Sequence, residues 1–378
     1  MDSQRERELK FDVDHQFAVP GLDDLGGRST RTERGTVRMA STYYDTEDRA
    51  LLAAGLTLRH REGEVEAGWQ LKVPTRAART EISLPRHAGA EVPERLRELL
   101  LGVLRDRPLR PVAVIGTERV RHRWLEGDRL LLEIADDRVH GTALGDRAVI
   151  TSWREVEAEL GPAGDEQLLR RAAILLRAAG GTPSEAPSKL ARTLGIPPRP
   201  TPSEAPAAVG DYARQQWQAI VAGDIALRRG LDNVHKTRVA VRRFRSMLRV
   251  LRPVLDREHT TALDAELSWV QNLLGDLRDR QVLRARFAQR LAALPPENVL
   301  GPVAGYLEQS LLAEQVRHRE QLTHAMHRAR YLAVLDRVAD WAADPPLPGQ
   351  PRRQGAAPFR PHGDPQGAQT PRRRPPSR

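Results

Sequence analysis

Over roughly the first 160 residues, charged and apolar side chains alternate one for one in short runs broken by Gly, Pro and Asp. In the opening stretch Glu6, Glu8, Lys10, Asp12 and Asp14 alternate with Arg7, Leu9, Phe11 and Val13. A period of two puts successive side chains on opposite faces of a strand. The pattern recurs. Thr57, Arg59 and Arg61 alternate with Leu56, Leu58 and His60, and Gln70 and Lys72 with Trp69, Leu71 and Val73. Arg79, Glu81 and Ser83 share a face, as do Arg119, Arg121 and Arg123, and also Glu133 and Asp137. Glu155, Glu157 and Glu159 stand opposite Val156, Ala158 and Leu160. This spacing predicts an antiparallel sheet or barrel.

The period then changes. Residues 164–181 carry apolar residues at helical spacing and stop at Gly180-Gly181, and 188–195 read as a short helix. Two copies of TPSEAP, at 182–187 and 201–206, flank that helix. The Pro-rich run 196–207 reads as a linker, so the first domain is placed at 1–195. A helical pattern fills 208–343, and 344–378, rich in Pro, Gly, Gln and Arg, reads as a disordered basic tail. The expected fold is therefore an α+β N-terminal domain built on an antiparallel barrel, followed by an all-α domain.

Composition narrows the chemistry. No cysteine is present, which excludes disulfides, thiolate metal ligands and thiol nucleophiles. The N-terminus is charged from residue 2, and no apolar run approaches the ~20 residues of a membrane span, so the protein reads as cytoplasmic and not membrane-bound. The formal charge of +10 points to polyanionic partners. Arginine supplies almost all of it; of 60 Lys+Arg, only Lys10, Lys72, Lys189 and Lys236 are lysine. Those four mark places where a compact point charge is wanted rather than a planar fork.

A charged strand face taken singly is the solvated side of a half-buried sheet. As a set, these faces are sorted by sign: carboxylates on the first and last strands, Arg and Lys on the middle ones. A solvated face gains more from mixed pairs across strands. Sorting suits a divided ligand, with anionic oxygens against the cations and a hard metal ion against the carboxylates. Buried inside a barrel, such charges cost several kcal/mol per ion unless compensated by ligand, metal and water. Carboxylate oxygens suit Mg²⁺ or Mn²⁺, and Arg and Lys make charge-assisted hydrogen bonds to phosphate.

These residues resemble the CYTH domain of the triphosphate tunnel metalloenzymes. The opening E-x-E-x-K is similar to Glu6-Arg7-Glu8-Leu9-Lys10, and Y-x-D-T to Tyr44-Asp45-Thr46. G-x-x-L-R-x-R resembles Gly55 through Leu58-Arg59-His60-Arg61, and W-x-L-K resembles Trp69-Gln70-Leu71-Lys72. The Arg strand from Thr117 to Arg123, the acidic pair Glu133 and Asp137, the closing Glu155, Glu157 and Glu159, and Ser188-Lys189 complete the series over residues 4–195. The resemblance implies an eight-stranded antiparallel tunnel barrel that hydrolyses triphosphates with Mg²⁺ or Mn²⁺. Carried over, Glu6, Glu8, Glu157 and Glu159 would hold metal. Lys10, Arg59, Arg61, Lys72, Arg119, Arg121 and Lys189 would hold phosphate, with Glu6, Glu8 and Lys10 at the catalytic centre.

In the helical region, Val234, Thr237, Val241, Phe244, Leu248 and Leu251 step by three and four as a core stripe. Beside it runs a basic stripe of His235, Arg238, Arg242, Arg245, Arg249 and Arg252 with no acidic residue between Val234 and Val254. Such a face is either solvated, with acidic partners elsewhere, or binds an anion. Few aromatics accompany it, which makes stacked single-stranded nucleic acid unlikely. The stripe resembles the H-x-x-R-x-x-x-R-R-x-R signature of CHAD domains. LLGDLRDRQVL at 273–283, with Arg278 and Asp279, resembles that family's second signature, and Arg330-Tyr331 a later one. The resemblance implies polyphosphate binding and association with polyphosphate granules, by a CHAD domain that lacks its second half.

The expected function is hydrolysis of inorganic triphosphate or a short polyphosphate, with polyphosphate docked on the helical domain. Thiamine triphosphate hydrolysis, adenylate cyclisation from ATP and non-catalytic polyphosphate capture stand as alternatives on the same fold. DNA binding without a metal requirement is what net charge alone would suggest.

Overall fold

A computed structural model describes residues 2–25, 30–63, 67–74, 79–84, 91–197, 205–255, 257–295, 298–299 and 301–345, with the side chains of residues 2–6, 23–24, 79, 205–207, 254 and 258–259 not among them. The expected tail beyond 345 and part of the linker, 198–204, lie outside the described residues.

The strands are β1 (Asp2–Glu6), β2 (Glu8–Asp12), β3 (Thr30–Asp45), β4 (Thr57–Gly63), β5 (Gly68–Pro74), β6 (Arg79–Leu84), β7 (Arg110–Glu126), β8 (Arg129–Ala143), β9 (Val149–Leu160) and β10 (Thr182–Pro183). All pair antiparallel, in the order β1-β6-β5-β4-β3-β7-β8-β9-β2-β10. β1, at one end of that order, and β2, next to last at the other, are joined through Arg7, the single residue between them. One continuous strand thus pairs with β6 through its first half and with β9 through its second, and the sheet closes. Closure removes exposed edges. Counting β1 and β2 as one strand, and setting the two-residue β10 aside, leaves the eight strands expected.

Four short helices accompany the barrel: α1 (Ala50–Ala53), α2 (Glu94–Leu104), α3 (Glu166–Ala178) and α4 (Lys189–Thr193). The starts of α3 and α4 follow from capping. The Asp165 carboxylate accepts from the Leu168 N–H at 2.7 Å, and the Ser188 hydroxyl from Ala191 N–H at 3.1 Å. Asp45 is buried and turns the chain from β3 into α1, accepting from the backbone N–H of Thr46, Leu51 and Leu52 at 2.7, 2.9 and 3.0 Å. The Asp45-Thr46 pair of the sequence motif is therefore a structural hinge.

The barrel is polar inside, so its apolar face points outward and needs a coat. Phe11, Trp124, Leu132, Ile134, Val156 and Ala158 pack beneath Leu168, Leu169, Ala172 and Leu176 of α3. On the other side, Leu56, Leu58, Trp69, Leu71 and Ile82 join Leu96, Leu99 and Leu100 of α2 in one core. That core runs on without a break into the helical region, α5 (Ala205–Arg228), α6 (Val234–Val250), α7 (Arg257–Ala292), α8 (Val303–Met326) and α9 (Ala329–Ala343). Trp217, Ile220, Val241, Phe244, Leu267, Val334 and Val338 belong to it. The helices beyond the Pro-rich run form part of the barrel's outer coat.

The junction is tight. A Cβ on Gly102 of α2 would lie 2.6 Å from Asp224 Oδ2 of α5 and 2.9 Å from Leu335 of α9. Asp224 is buried, salt-bridged to Arg228 at 2.8 Å and hydrogen-bonded by the Tyr331 hydroxyl at 3.0 Å. Gly55, with a φ of 77°, faces Gln218 of α5 just as closely. Among the described residues no helix is long and apolar enough to cross a membrane.

Candidate active site

The inward face of the barrel follows directly from register. Lys10 lies opposite Glu157, Glu8 opposite Glu159, Asp137 opposite Glu155 and Arg119 opposite Asp137. Across the barrel Arg59 pairs with Tyr43 and Gln70, Arg61 with Ser41, and Lys72 with Glu81. Side chains on directly opposed residues share a face, so these ionised residues converge on one interior. The resulting cavity is lined by Glu8, Lys10, Arg59, Arg61, Lys72, Arg119, Arg121, Glu157, Glu159 and Lys189, among others.

At one wall three buried carboxylates, Asp137, Glu155 and Glu157, each offer an oxygen within 4.8 Å of the other two. Cations fill the space around them. Arg119 makes a bidentate pair with Asp137, 2.7 Å in each arm, and donates to Glu157 at 2.7 Å. Lys10 Nζ lies 2.8 Å from Glu157 and 3.4 Å from Glu8. Lys189 Nζ lies 3.0 Å from Asp137, 2.6 Å from Glu155 and 2.8 Å from Glu157. Arg121 forms a second bidentate pair, with Glu133, at 2.9 and 2.7 Å.

The opposite wall holds cations oriented by neutral groups. Arg59 donates to Gln70 at 2.6 Å and to the Tyr43 hydroxyl at 3.2 Å, and Arg61 to Ser41 at 3.3 Å. Glu81 lies 3.4 Å from Lys72 and 3.6 Å from Arg59.

Protonation follows from this packing. Burial alone would raise the Glu157 carboxyl, but Lys10, Lys189 and Arg119 hold it well below the usual carboxylate range. Burial likewise opposes, and Lys189 and Arg119 outweigh it, at Asp137, which is lowered. Burial would depress the Lys10 and Lys189 ammonium groups, yet Glu157 and its neighbours raise both. Arg119, buried but clasped by Asp137 and Glu157, is raised well above its usual value. Burial would raise the Tyr43 phenol, and the Arg59 guanidinium more than offsets this, so it is lowered. Glu157, Asp137, Lys10, Lys189 and Arg119 are therefore held in their ionised forms at neutral pH.

The structure brings together Glu8, Lys10, Arg59, Arg61, Lys72, Arg119, Arg121, Glu157, Glu159 and Lys189 in one cavity. Glu6 sits in β1 opposite Arg79, and its side chain lies outside the described residues. The expectation that the ionised faces need ligand, metal and water for compensation is corrected: they compensate one another by direct ion pairs. Asp137 and Glu155 stand at the centre of the acidic cluster, although the sequence motifs assign metal to their neighbours. Ser41, Tyr43, Gln70 and Glu81 complete the cradle. Period-two alternation marks Gln70 and Glu81 as sharing a face with Lys72 and Ser83, but Ser41 and Tyr43 become visible only once β3 is registered against Arg61 and Arg59.

The donor set fits a hard divalent ion: three clustered buried carboxylates, with Glu8 and Glu159 in the same cavity and no thiolate in the chain.

On α6, His235, Arg242 and Arg249 are exposed, as is Arg252 just beyond its end, while Arg238 and Arg245 are half-buried. Part of the stripe finds its acidic partner on α7. Asp264 lies 2.7 Å from Arg245 and 3.2 Å from Arg249, and Gln271 accepts a further bond from Arg245 at 2.7 Å. Gly275, in the LGDLRD segment, leaves room beside the Arg238 guanidinium, 3.6 Å from where a Cβ would be. Arg278 donates to Gln281 at 3.4 Å. Arg330 lies 2.9 Å from Glu266 and stacks 4.2 Å over Trp269, while the neighbouring Tyr331 is the core residue that reaches Asp224.

Comparison with known proteins agrees with this architecture. Residues 4–194 match the CYTH domain and 211–369 the CHAD domain, so the CHAD match continues past α9. Two uncharacterized proteins of Mycobacterium tuberculosis, from strains CDC 1551 / Oshkosh and ATCC 25618 / H37Rv, are each 32% identical over 353 residues, covering 88% of this chain and 68% of theirs. Among solved structures, a protein of Pyrococcus horikoshii OT3 is 17% identical with a TM-score of 0.30, covering 50% of this chain and 96% of that one. A candidate adenylyl cyclase from Hippeastrum, described with a dominant triphosphatase activity, is 16% identical with a TM-score of 0.30 and covers 52% and 98%. With its ordered motifs, its closed tunnel and the match over residues 4–194, the chain belongs to the CYTH family, and a CHAD domain follows its CYTH domain.

Proposed function

We propose that the barrel is a metal-dependent triphosphatase acting on inorganic triphosphate or another short polyphosphate, and that α6 docks polyphosphate. The observation that carries this reading is the cavity with oriented cations at one wall and, at the other, Glu157, which belongs to a trio of clustered buried carboxylates. Asp137, Glu155 and Glu157, with Glu8 and Glu159, would hold Mg²⁺ or Mn²⁺; Glu6 keeps that role from its motif alone. When bound, the ion supplies Lewis-acid charge and an oriented water.

The chain's own cations do the rest. Lys10, Arg59, Arg61, Lys72, Arg119, Arg121 and Lys189 exchange carboxylate or neutral partners for phosphate oxygens. Gln70, Tyr43 and Ser41 fix the two guanidinium planes before substrate arrives, so little reorganisation remains when charge develops on the leaving phosphate. The charges of Lys10, Arg119 and Lys189 are held at neutral pH by their neighbours, which favours electrostatic stabilisation over acid–base relay as their part in the reaction.

The test is a phosphate-release panel with tripolyphosphate, pyrophosphate, ATP and thiamine triphosphate, with and without Mg²⁺ or Mn²⁺. Metal-dependent release, greatest from tripolyphosphate, is expected. Greatest release from thiamine triphosphate, or cyclic AMP formed from ATP, would reassign the substrate. Tripolyphosphate binding with no release under any metal would leave a capture protein instead of an enzyme.

A further inference from the structure

Every oxygen of the carboxylate trio is already engaged. Asp137 Oδ1 accepts from Arg119, and its Oδ2 from Arg119 and Lys189. Glu157 Oε1 accepts from Lys10 and Lys189, and its Oε2 from Arg119. Glu155 Oε1 faces Lys189 at 2.6 Å, and its Oε2 accepts from the Trp153 indole N–H at 2.6 Å. Among the described residues, one group touches all three carboxylates, the Lys189 ammonium. Three carboxylate oxygens converging on a centre are also what a divalent ion would take. A cation there cannot coexist with an ammonium within 3.0 Å of the same oxygens.

We propose that Lys189 is a resident counter-cation occupying the metal position, and that the trio is released to a divalent ion only when this ammonium moves to a phosphate oxygen. The proposal rests on the triphosphatase reading above and adds to it how metal and substrate depend on each other. Metal alone must evict Lys189 into the cavity beside the Arg and Lys row, where like charges oppose it. Triphosphate alone gains Lys189 but leaves three buried carboxylates short of charge. Arriving together, each supplies the partner the other displaces, so the two bind with positive coupling, which is reciprocal by linkage.

The exchange needs only a side-chain swing. The backbone of α4 is pinned: Leu190 is buried, and Thr193 packs on Gly141 of β8 so closely that a Cβ there would lie 2.3 Å from its hydroxyl. The lysine stem has four rotatable bonds, and both Ser188 and Lys189 line the cavity. An Arg in this place would bind two carboxylates in a fixed fork; the point charge of Lys serves three and lets go by rotation.

The test uses the full-length protein without any phosphate. Mn²⁺ binding to wild type, Lys189→Met and Lys189→Gln is measured by calorimetry and by the free-ion EPR signal. Removing the competing ammonium should tighten Mn²⁺ binding about 10- to 100-fold, the equivalent of one charge-assisted contact. Adding Glu155→Gln to Lys189→Met should cancel that gain. Wild-type protein gives an independent readout, since four lysines make amine labelling easy to map by mass spectrometry. Saturating Mn²⁺ should increase acetylation of Lys189 relative to the exposed Lys236, and added tripolyphosphate should suppress it again. Unchanged Mn²⁺ affinity in both variants, or Lys189 labelling indifferent to saturating Mn²⁺, overturns the proposal. Tighter Mn²⁺ binding in the variants together with no phosphate release by wild type would instead overturn the triphosphatase reading and leave the counter-cation in place.

Discussion

Replacing Glu157 by Gln tests whether the centre of the barrel is the ion cluster described. The carboxylate accepts from Lys10 and Lys189 on one oxygen, each at 2.8 Å, and from Arg119 on the other at 2.7 Å. Its side chain is only 10% exposed. Gln keeps the shape, removes the charge, and points an N–H₂ at a cation. Breaking a buried pair costs about 3–5 kcal/mol. Here each cation keeps another partner: Arg119 retains Asp137, Lys189 retains Asp137 and Glu155, and Lys10 retains Glu8 at 3.4 Å. The expected loss is therefore at the low end, about 3 kcal/mol, read from urea unfolding followed by circular dichroism. The pH dependence has a definite sign. The folded Glu157 carboxyl lies below its ordinary value of 4.5, so its contribution is complete above that pH and disappears as pH falls through the folded value. Lys189 lies above its ordinary 10.5, so its share is complete below that pH and disappears only as pH rises through the folded value. The gap between wild type and variant should stay flat across neutral pH and close on acidification below 4.5. The variant should also bind metal-free tripolyphosphate more tightly, because the cradle gains one net positive charge. A stability difference under about 0.5 kcal/mol at neutral pH, the level of an ordinary surface substitution, would refute the cluster.

Arg59→Ala and Lys72→Ala should each weaken tripolyphosphate binding by about 1.5–3 kcal/mol, roughly 10- to 100-fold by calorimetry, since each removes one charge-assisted contact. Gly102→Ala places a methyl 2.6 Å from Asp224 and should cost about 1–3 kcal/mol; because α2, α5 and α9 share one core with the barrel, the unfolding of strands and helices should shift together. Replacing Arg238, Arg242 and Arg245 together by Gln should reduce polyphosphate binding and flatten its salt dependence, whereas Asp264→Asn, which frees Arg245 and Arg249, should raise the affinity.

What the sequence determined by itself is the set of faces. Period two is a property of any strand, so Glu8, Lys10, Arg59, Arg61, Lys72, Arg119, Arg121, Glu157 and Glu159 could be assigned to common faces without knowing which strands meet. Sorting by sign then raised the idea of a tunnel, and the ordered motifs gave the family. Lys189 came through the motif and through its rarity as a lysine. Tertiary structure decided what the alternation leaves open: which charge stands against which. Partners in the cluster lie far apart in the chain, as Arg119 and Glu157 do, or Lys10 and Glu157, and their distances depend on the pairing of β7, β8, β9 and β2 side by side. Only that pairing, with α4 packed against β7 and β8, put Asp137 and Glu155 at the centre and set one ammonium among three carboxylates. The same limit held for the helices. The basic stripe on α6 was legible because helical spacing is local, but its acidic partner Asp264 lies on another helix and could not be read from α6 alone. The Pro-rich run reads as a linker because composition reports on its own backbone. It says nothing of the surfaces the linker connects, and a barrel that is polar inside leaves an apolar exterior that the helices cover.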